Sequence, residues 1–299
     1  MNLPNTMHAV YLTGHGGPEV LTYVHDAPVP VPEPDEVLIK VGAAGINNTD
    51  INTRIGWYSG AVTDDTMKTD QDLDDAESTE AGWNGVLSFP RIQGADICGE
   101  IVAVGSHVDS ARIGERVIVD PCIRTSDSDF SYIGSEINGG FAQYTAVPAK
   151  AAYRIQCDWS DAELATLPCS YSTAENLLTR AGVNQQDRVL ITGASGGVGS
   201  AAVQLAKRRG ADVIAVANPS KADTLKALGA THVVTRDADL VDALGENSLS
   251  VVIDLVGGDQ WLNLFKALKP LGRYAVSGAV GGSIVSLDLR TLYLKDISV

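Results

Sequence analysis

Residues 189–199 read Val-Leu-Ile-Thr-Gly-Ala-Ser-Gly-Gly-Val-Gly. An apolar run that ends in a glycine-rich turn and continues into a helix can bring backbone N–H groups against a pyrophosphate. Gly196 and Gly197 carry no Cβ to block that approach, and Gly199 lets the helix pack on the strand. The helix N-terminus then faces the anion with the positive end of its dipole. The usual G-x-G-x-x-G pattern is broken by Ala194, and a tight strand-to-helix turn without a ligand can use the same glycines. The preceding strand, the following helix and a second apolar strand from Val213 favour dinucleotide binding. Ser195, Gly196, Gly197 and Val198 are its expected contacts.

The second strand ends in Val216-Ala217-Asn218-Pro219-Ser220-Lys221. Gripping the ribose 2′-hydroxyl of NAD calls for an acid near this point. Asn218 stands there instead, with no charge to repel a 2′-phosphate, and Ser220 and Lys221 are placed to donate to one. The reading is NADP(H). A solvated lysine is the competing account of Lys221, because cations are not favoured at helix N-termini.

These residues need a scaffold, and 299 residues with 44% apolar and 20% charged side chains suit two globular domains. No apolar run is long enough to span a membrane. Met1-Asn2-Leu3-Pro4 lacks the layout of a secretion signal. Four scattered cysteines make no disulfide framework, so a reduced, cytoplasmic protein is expected. The net charge of −15 argues against nucleic acid and anionic membrane as partners. Residues 64–80 hold eight acids against Lys68, within a segment 60–88 that reads as an acidic surface insertion. A calcium loop there fails at Asp75, where glycine belongs, and at Ala81, where a glutamate belongs.

Short strand-like runs at 8–12, 37–43, 100–104, 116–119 and 143–147, with turn residues between them, predict a compact β-barrel-like domain over 1–155. Ser160 and Glu163 form a capping box for a helix over 160–167. Over 156–299, strands alternate with helices at 189–192, 199–210, 213–217, 221–228, 232–234, 251–255, from Gln260, and 274–278, with a closing stretch near 284–289. That order predicts an α/β domain with a doubly wound parallel sheet, the Rossmann arrangement.

With these motifs in order, the chain resembles the medium-chain dehydrogenase/reductase superfamily, in its zinc-independent quinone-oxidoreductase-like branch. The resemblance runs through Gly14-His15-Gly16-Gly17-Pro18-Glu19-Val20-Leu21, Gly45-Ile46-Asn47-Asn48-Thr49-Asp50, Gly94-Ala95-Asp96-Ile97-Cys98-Gly99 and Gly139-Gly140-Phe141-Ala142-Gln143-Tyr144. It continues through the glycine turn with Gln204-Leu205-Ala206-Lys207, and Gly229-Ala230. It implies a GroES-like catalytic domain, a cofactor domain and an active site in the cleft between them. It adds Thr173, Val256 and Ser277 to the expected cofactor contacts. Zinc-dependent relatives place metal ligands where this chain has Asn47, Ala95 and Cys169, so no metal is expected. Relatives continue past a segment like 287–299 and return to the catalytic domain, a return that is expected to be missing here.

Without metal, dipoles must stabilise charge on the substrate oxygen as hydride arrives. The resemblance implies Asn47 as an orienting residue, Tyr58 as a donor to the carbonyl oxygen, and Thr49 at the zinc enzymes' proton-relay hydroxyl. Each also has a structural account in turn satisfaction or packing, and Asp50 is expected to hold structure. The implied activity is NADPH-dependent reduction of a quinone or an α,β-unsaturated carbonyl. A zinc-type alcohol dehydrogenase and a non-catalytic NADPH-binding protein are the alternatives. A homodimer is expected, paired through an edge strand at 283–294.

Overall fold

The computed structural model describes residues 3–59, 62, 82, 87–124, 126 and 129–299. The expectations for the acidic residues 64–80 lie outside these. The described residues up to Cys169 form one compact unit and Ser170–Val299 a second, so the division falls later than 155/156. The reason is visible in the packing. Leu164 and Ala165 are buried against Cys98, with Ala43 and Ile118 around them, which keeps this segment with the first unit.

The first unit is built from β1 (Thr6–Leu12), β2 (Leu21–Pro28), β3 (Glu36–Gly45), α1 (Asn48–Arg54), β4 (Arg91–Ile92), β5 (Asp96–Val104), β6 (Arg116–Val119), β7 (Cys122–Arg124), β8 (Phe130–Tyr132), β9 (Tyr144–Pro148), β10 (Ala152–Arg154) and α2 (Asp161–Leu164). One sheet runs β10-β6-β5-β3-β9 and another β2-β1-β4, with antiparallel pairing throughout. β3 lies inside the first of these sheets, between β5 and β9, and its Val37, Leu38 and Ile39 are all buried. Ile39 joins Ile97, Ile101, Val117, Val119 and Val147 in the core, and each such burial contributes roughly 2 kcal/mol. Helix α2 begins as the capping box requires. Ser160 Oγ accepts the Glu163 N–H at 3.2 Å, and the Glu163 carboxylate accepts the Ser160 N–H at 2.8 Å. It ends at Leu164, short of the expected 167, and α3 (Pro168–Arg180) starts with proline at its first position, where no N–H is needed.

The second unit follows with β11 (Arg188–Ile191), α4 (Gly197–Arg208), β12 (Asp212–Ala217), α5 (Ala222–Leu228), β13 (His232–Thr235), α6 (Leu240–Leu244), β14 (Leu249–Asp254), α7 (Trp261–Ala267), β15 (Leu268–Val276) and α8 (Leu289–Lys295). Its sheet is parallel in the order β13-β12-β11-β14-β15. Alternation along β11 sends Val189 and Ile191 into one core with Ala201 and Ala202 of α4. Leu190 goes into another with Trp261, Phe265 and Tyr274. Strand order reverses beside β11, between β12 and β14, and the ends of β11 and β14 form the switch point at which such sheets bind ligands.

One expectation fails here. Residues 283–294 are not an edge strand, because Asp288 accepts the Arg290 N–H at 3.0 Å and starts α8. The edge of β15 is met instead by Ser298, whose carbonyl accepts the Tyr274 N–H at 2.8 Å. Among the described residues no helix is long and apolar enough to cross a membrane.

Candidate active site and dinucleotide turn

In the second unit, β11 runs through Thr192 into Gly193, whose φ of 56° lies in the left-handed region that glycine tolerates. The turn closes when Gly196 N–H donates to Gly193 O at 3.0 Å, and Gly196 then caps α4 with extended backbone. Ser195, Gly196 and Gly197 are exposed, while Val198 is half-buried against the core. A Cβ at Gly199 would lie 2.3 Å from Gly193 O, so only glycine lets the helix sit this close. The first N–H groups of a helix have no intrahelical acceptor. Here they stand beside the exposed Gly196 and Gly197, which carry no Cβ, a cradle that fits a dinucleotide pyrophosphate.

Val256 and Ser277 come to the same end of the sheet through Asp254, the last residue of β14. Val256 N–H donates to Asp254 Oδ1 at 2.9 Å, and Ser277 N–H donates to Asp254 O at 3.0 Å. Thr173 is half-buried on α3. That helix meets α4 where Gln204 Nε2 donates to Tyr171 Oη at 2.8 Å. Asn218, at the end of β12, uses its Oδ1 locally and accepts from Ser220 N–H and Ser220 Oγ, both at 3.0 Å. Lys221 is exposed where this turn enters α5.

In the first unit, Asn47 N-caps α1, and its N–H donates to Asp50 Oδ2 at 2.8 Å. Asp50 Oδ1 accepts the Gly94 N–H at 3.1 Å, and Gln93 Nε2 donates to the Asp50 carbonyl at 2.8 Å. The Asn47 side chain donates through Nδ2 to Asp96 Oδ2, and Asp96 Oδ1 accepts the Cys169 N–H at 2.6 Å. Helix α1 also brings Thr49 to Tyr58, whose Oη donates to Thr49 Oγ1 at 3.2 Å. The three expected residues therefore gather at one end of α1.

Sequence reasoning did not assign Asp96 or Tyr132 here. Burial raises the Asp50 carboxyl to about 6 against the pull of surrounding N–H groups. Burial also raises Asp96 to about 6, where the Cys169 N–H opposes the shift and the Asp50 charge adds to it. Tyr132 Oη donates to Cys169 Sγ at 3.2 Å, and burial pushes that phenol upward.

The donor set at Asn47, Ala95 and Cys169 does not fit zinc. Ala95 has no ligating atom, Asn47 turns a donor N–H toward Asp96, and the lone thiol is hydrogen-bonded to Tyr132. Among the described residues no group of three or more His, Cys, Asp or Glu side chains is placed to hold a metal.

The chain matches two family models, the alcohol dehydrogenase GroES-like domain over residues 33–157 and the zinc-binding dehydrogenase over 197–299. It is 28% identical to the quinone oxidoreductase of Homo sapiens, over 98% of this chain and 79% of that protein. It is 30% identical to the 2-methylene-furan-3-one reductase of Solanum lycopersicum, over 96% of this chain and 63% of that one. A solved structure from Sinorhizobium meliloti 1021, described as a candidate alcohol dehydrogenase, is 47% identical with a TM-score of 0.86. It is matched over 99% of this chain and 82% of that one.

Proposed function

Because the chain belongs to the medium-chain dehydrogenase/reductase superfamily, in its quinone-oxidoreductase-like branch, and is an oxidoreductase using a nicotinamide cofactor, we propose that it reduces a quinone or an α,β-unsaturated carbonyl with NADPH and without a metal. The observation that carries this reading is the hydrogen-bonded pair Tyr58–Thr49 beside Asn47. The bound nicotinamide supplies the hydride. The chain's own task is to meet the negative charge that develops on the substrate oxygen. A phenol and a hydroxyl that already share a hydrogen bond do so with little reorganisation, one donating to that oxygen while the other backs it. Asn47, fixed by Asp50 through its backbone and by Asp96 through its side chain, orients the ligand beside them.

The test is NADPH oxidation against a panel of quinones and enones. Tyr58→Phe is expected to lower kcat roughly 10- to 100-fold with KM for NADPH unchanged. An unchanged kcat would remove Tyr58 from the mechanism.

Preference for NADPH over NADH rests on Asn218 in place of an acid and on Lys221 beside it. Lys221→Ala is expected to narrow the ratio of the two dissociation constants in a fluorescence titration. Equal affinities in the unaltered protein would end the NADP(H) reading. We propose a homodimer as well. The support is exposed apolar surface at Ile284, Leu289, Tyr293 and Leu294, each more than 60% accessible. Leu289→Lys is expected to shift light scattering toward monomer, and a wild-type protein that is monomeric at micromolar concentration would refute the pairing.

A further inference from the structure

Asp254 is fully buried at the end of an apolar strand, and nothing in the proposed chemistry uses it. Its two oxygens face different partners. Oδ1 accepts from Thr192 Oγ1 at 2.5 Å, from Val256 N–H at 2.9 Å and from Gly257 N–H at 3.2 Å. Oδ2 accepts from Tyr274 Oη on β15 and, at 3.3 Å, from Gly257 N–H. Thr192 passes the tie onward, since its Oγ1 accepts the Leu255 N–H at 2.8 Å.

Thr192 immediately precedes the dinucleotide turn. The loop that Asp254 holds lies against that turn, because a Cβ on Gly193 would come within 3.3 Å of Val256 Cγ2 and 3.5 Å of Leu255 Cβ. The loop is also one that main-chain geometry alone would not fix. Gly257 and Gly258 have φ of 66° and 68°, and both pack against the backbone of residues 279–282.

We propose that Asp254 is the positioning residue of the cofactor site, with a divided task. Through Oδ1 it locks Thr192 and the 255–258 loop into one wall for a nicotinamide dinucleotide, and through Oδ2 it anchors that wall to the core at Tyr274. This rests on the reading of the second unit as a dinucleotide site, and it needs no commitment to quinone or enone as substrate. A buried carboxylate suits the task because one oxygen takes several N–H and O–H donors at once, each bond being charge-assisted. Removal of the carboxylate would strand all of them in the interior.

The division predicts that affinity and stability separate. Thr192→Val removes the hydroxyl that joins β11 to the loop and keeps the side-chain volume. It is expected to weaken NADPH and NADH alike, by about 10-fold in a fluorescence titration. Tyr274→Phe removes the hydroxyl that Oδ2 accepts from β15 and leaves every bond from Asp254 to Thr192 and the loop in place. It is expected to lower the denaturation midpoint and leave the dinucleotide dissociation constant within about two-fold of wild type. Asp254→Asn can still offer Oδ1 to the loop and turn Nδ2 toward the Tyr274 oxygen, so it should retain affinity that Asp254→Ala loses. If Asp254→Ala does not fold, the Thr192→Val and Tyr274→Phe pair carries the test alone.

Two outcomes overturn the proposal. One is a Thr192→Val protein that binds both dinucleotides as wild type does. The other is a Tyr274→Phe protein whose affinity falls as far as that of Thr192→Val, which would make Asp254 a structural residue of the core. A wild-type protein that binds neither dinucleotide removes the reading on which the proposal rests, and the proposal with it. Binding without turnover on any quinone or enone leaves the assignment of Asp254 intact and overturns only the proposed substrate class.

Discussion

The Gly196→Ala protein is expected to unfold within a few degrees of wild type yet bind NADPH at least 10-fold more weakly, whereas Gly199→Val is expected to lose both. The two glycines stand three residues apart in one turn, and their surroundings differ. At Gly196 the φ of −78° is open to any residue, and the nearest atom to an added Cβ is Gly193 O at 3.4 Å, an ordinary contact. The position is exposed, so the methyl projects onto the surface proposed for the pyrophosphate. At Gly199 an added Cβ meets Gly193 O at 2.3 Å and Ala194 Cα at 2.6 Å, and backbone on the far side of a closed turn cannot give way cheaply. Overpacking of this kind costs about 3 kcal/mol and forces the turn open, so affinity falls as a consequence of lost structure. Thermal denaturation beside fluorescence titration separates the two. Wild-type affinity in Gly196→Ala would mean that the turn is not where the dinucleotide binds.

That turn was the most legible part of the sequence, because its glycines, its apolar strand and its helix all report on the same local geometry. The capping box at Ser160 and Glu163 was legible for the same reason. Helix α1 was harder to see. Asn48, Thr49, Asp50, Asn52 and Thr53 are poor helix formers, and the helix depends on partners distant in sequence, including Arg54 Nη1, which donates to Gly16 O. At 284–289 a partly alternating apolar pattern points to a strand. The deciding contacts are again non-local. Asp288 caps α8, and Lys295 Nζ at its other end donates to the carbonyls of Phe265, Lys266 and Leu268 at 2.9–3.0 Å. Only the resemblance points to Asn47, Thr49 and Tyr58, and no local pattern marks them. A single acid at the start or end of a strand, as at Asp96 and Asp254, reads in the sequence as a solvated terminus. Only the fold shows that both are fully buried.

Burial of Asp96 has a measurable consequence in the pH dependence of stability. In the unfolded chain its carboxyl titrates near 3.8, and in the folded protein burial raises it to about 6, with the nearby Asp50 charge adding to the shift. A raised carboxyl favours the folded state while it is protonated. Its contribution is fully present below pH 3.8 and is lost as the pH climbs through 6, where the folded protein must hold a buried charge. A shift of this size corresponds to about 3 kcal/mol, and Asp50, raised to the same range by burial, acts in the same direction. Asp96→Asn isolates one of the two. The amide cannot accept from both Asn47 Nδ2 and Cys169 N–H, so the variant loses a hydrogen bond worth about 1–3 kcal/mol at every pH. It never ionises, however, so the wild-type advantage should be largest near pH 4 and should shrink by about 3 kcal/mol toward pH 7.5. Taking the difference between the two proteins removes the background titration of a chain carrying a net charge of −15. Urea denaturation of both at pH 4, 5.5 and 7.5 measures it. Parallel stability curves across that range would show that Asp96 does not carry a raised carboxyl. The position would then stay ionised, held by the N–H groups of residues 47 and 169 more strongly than burial opposes it.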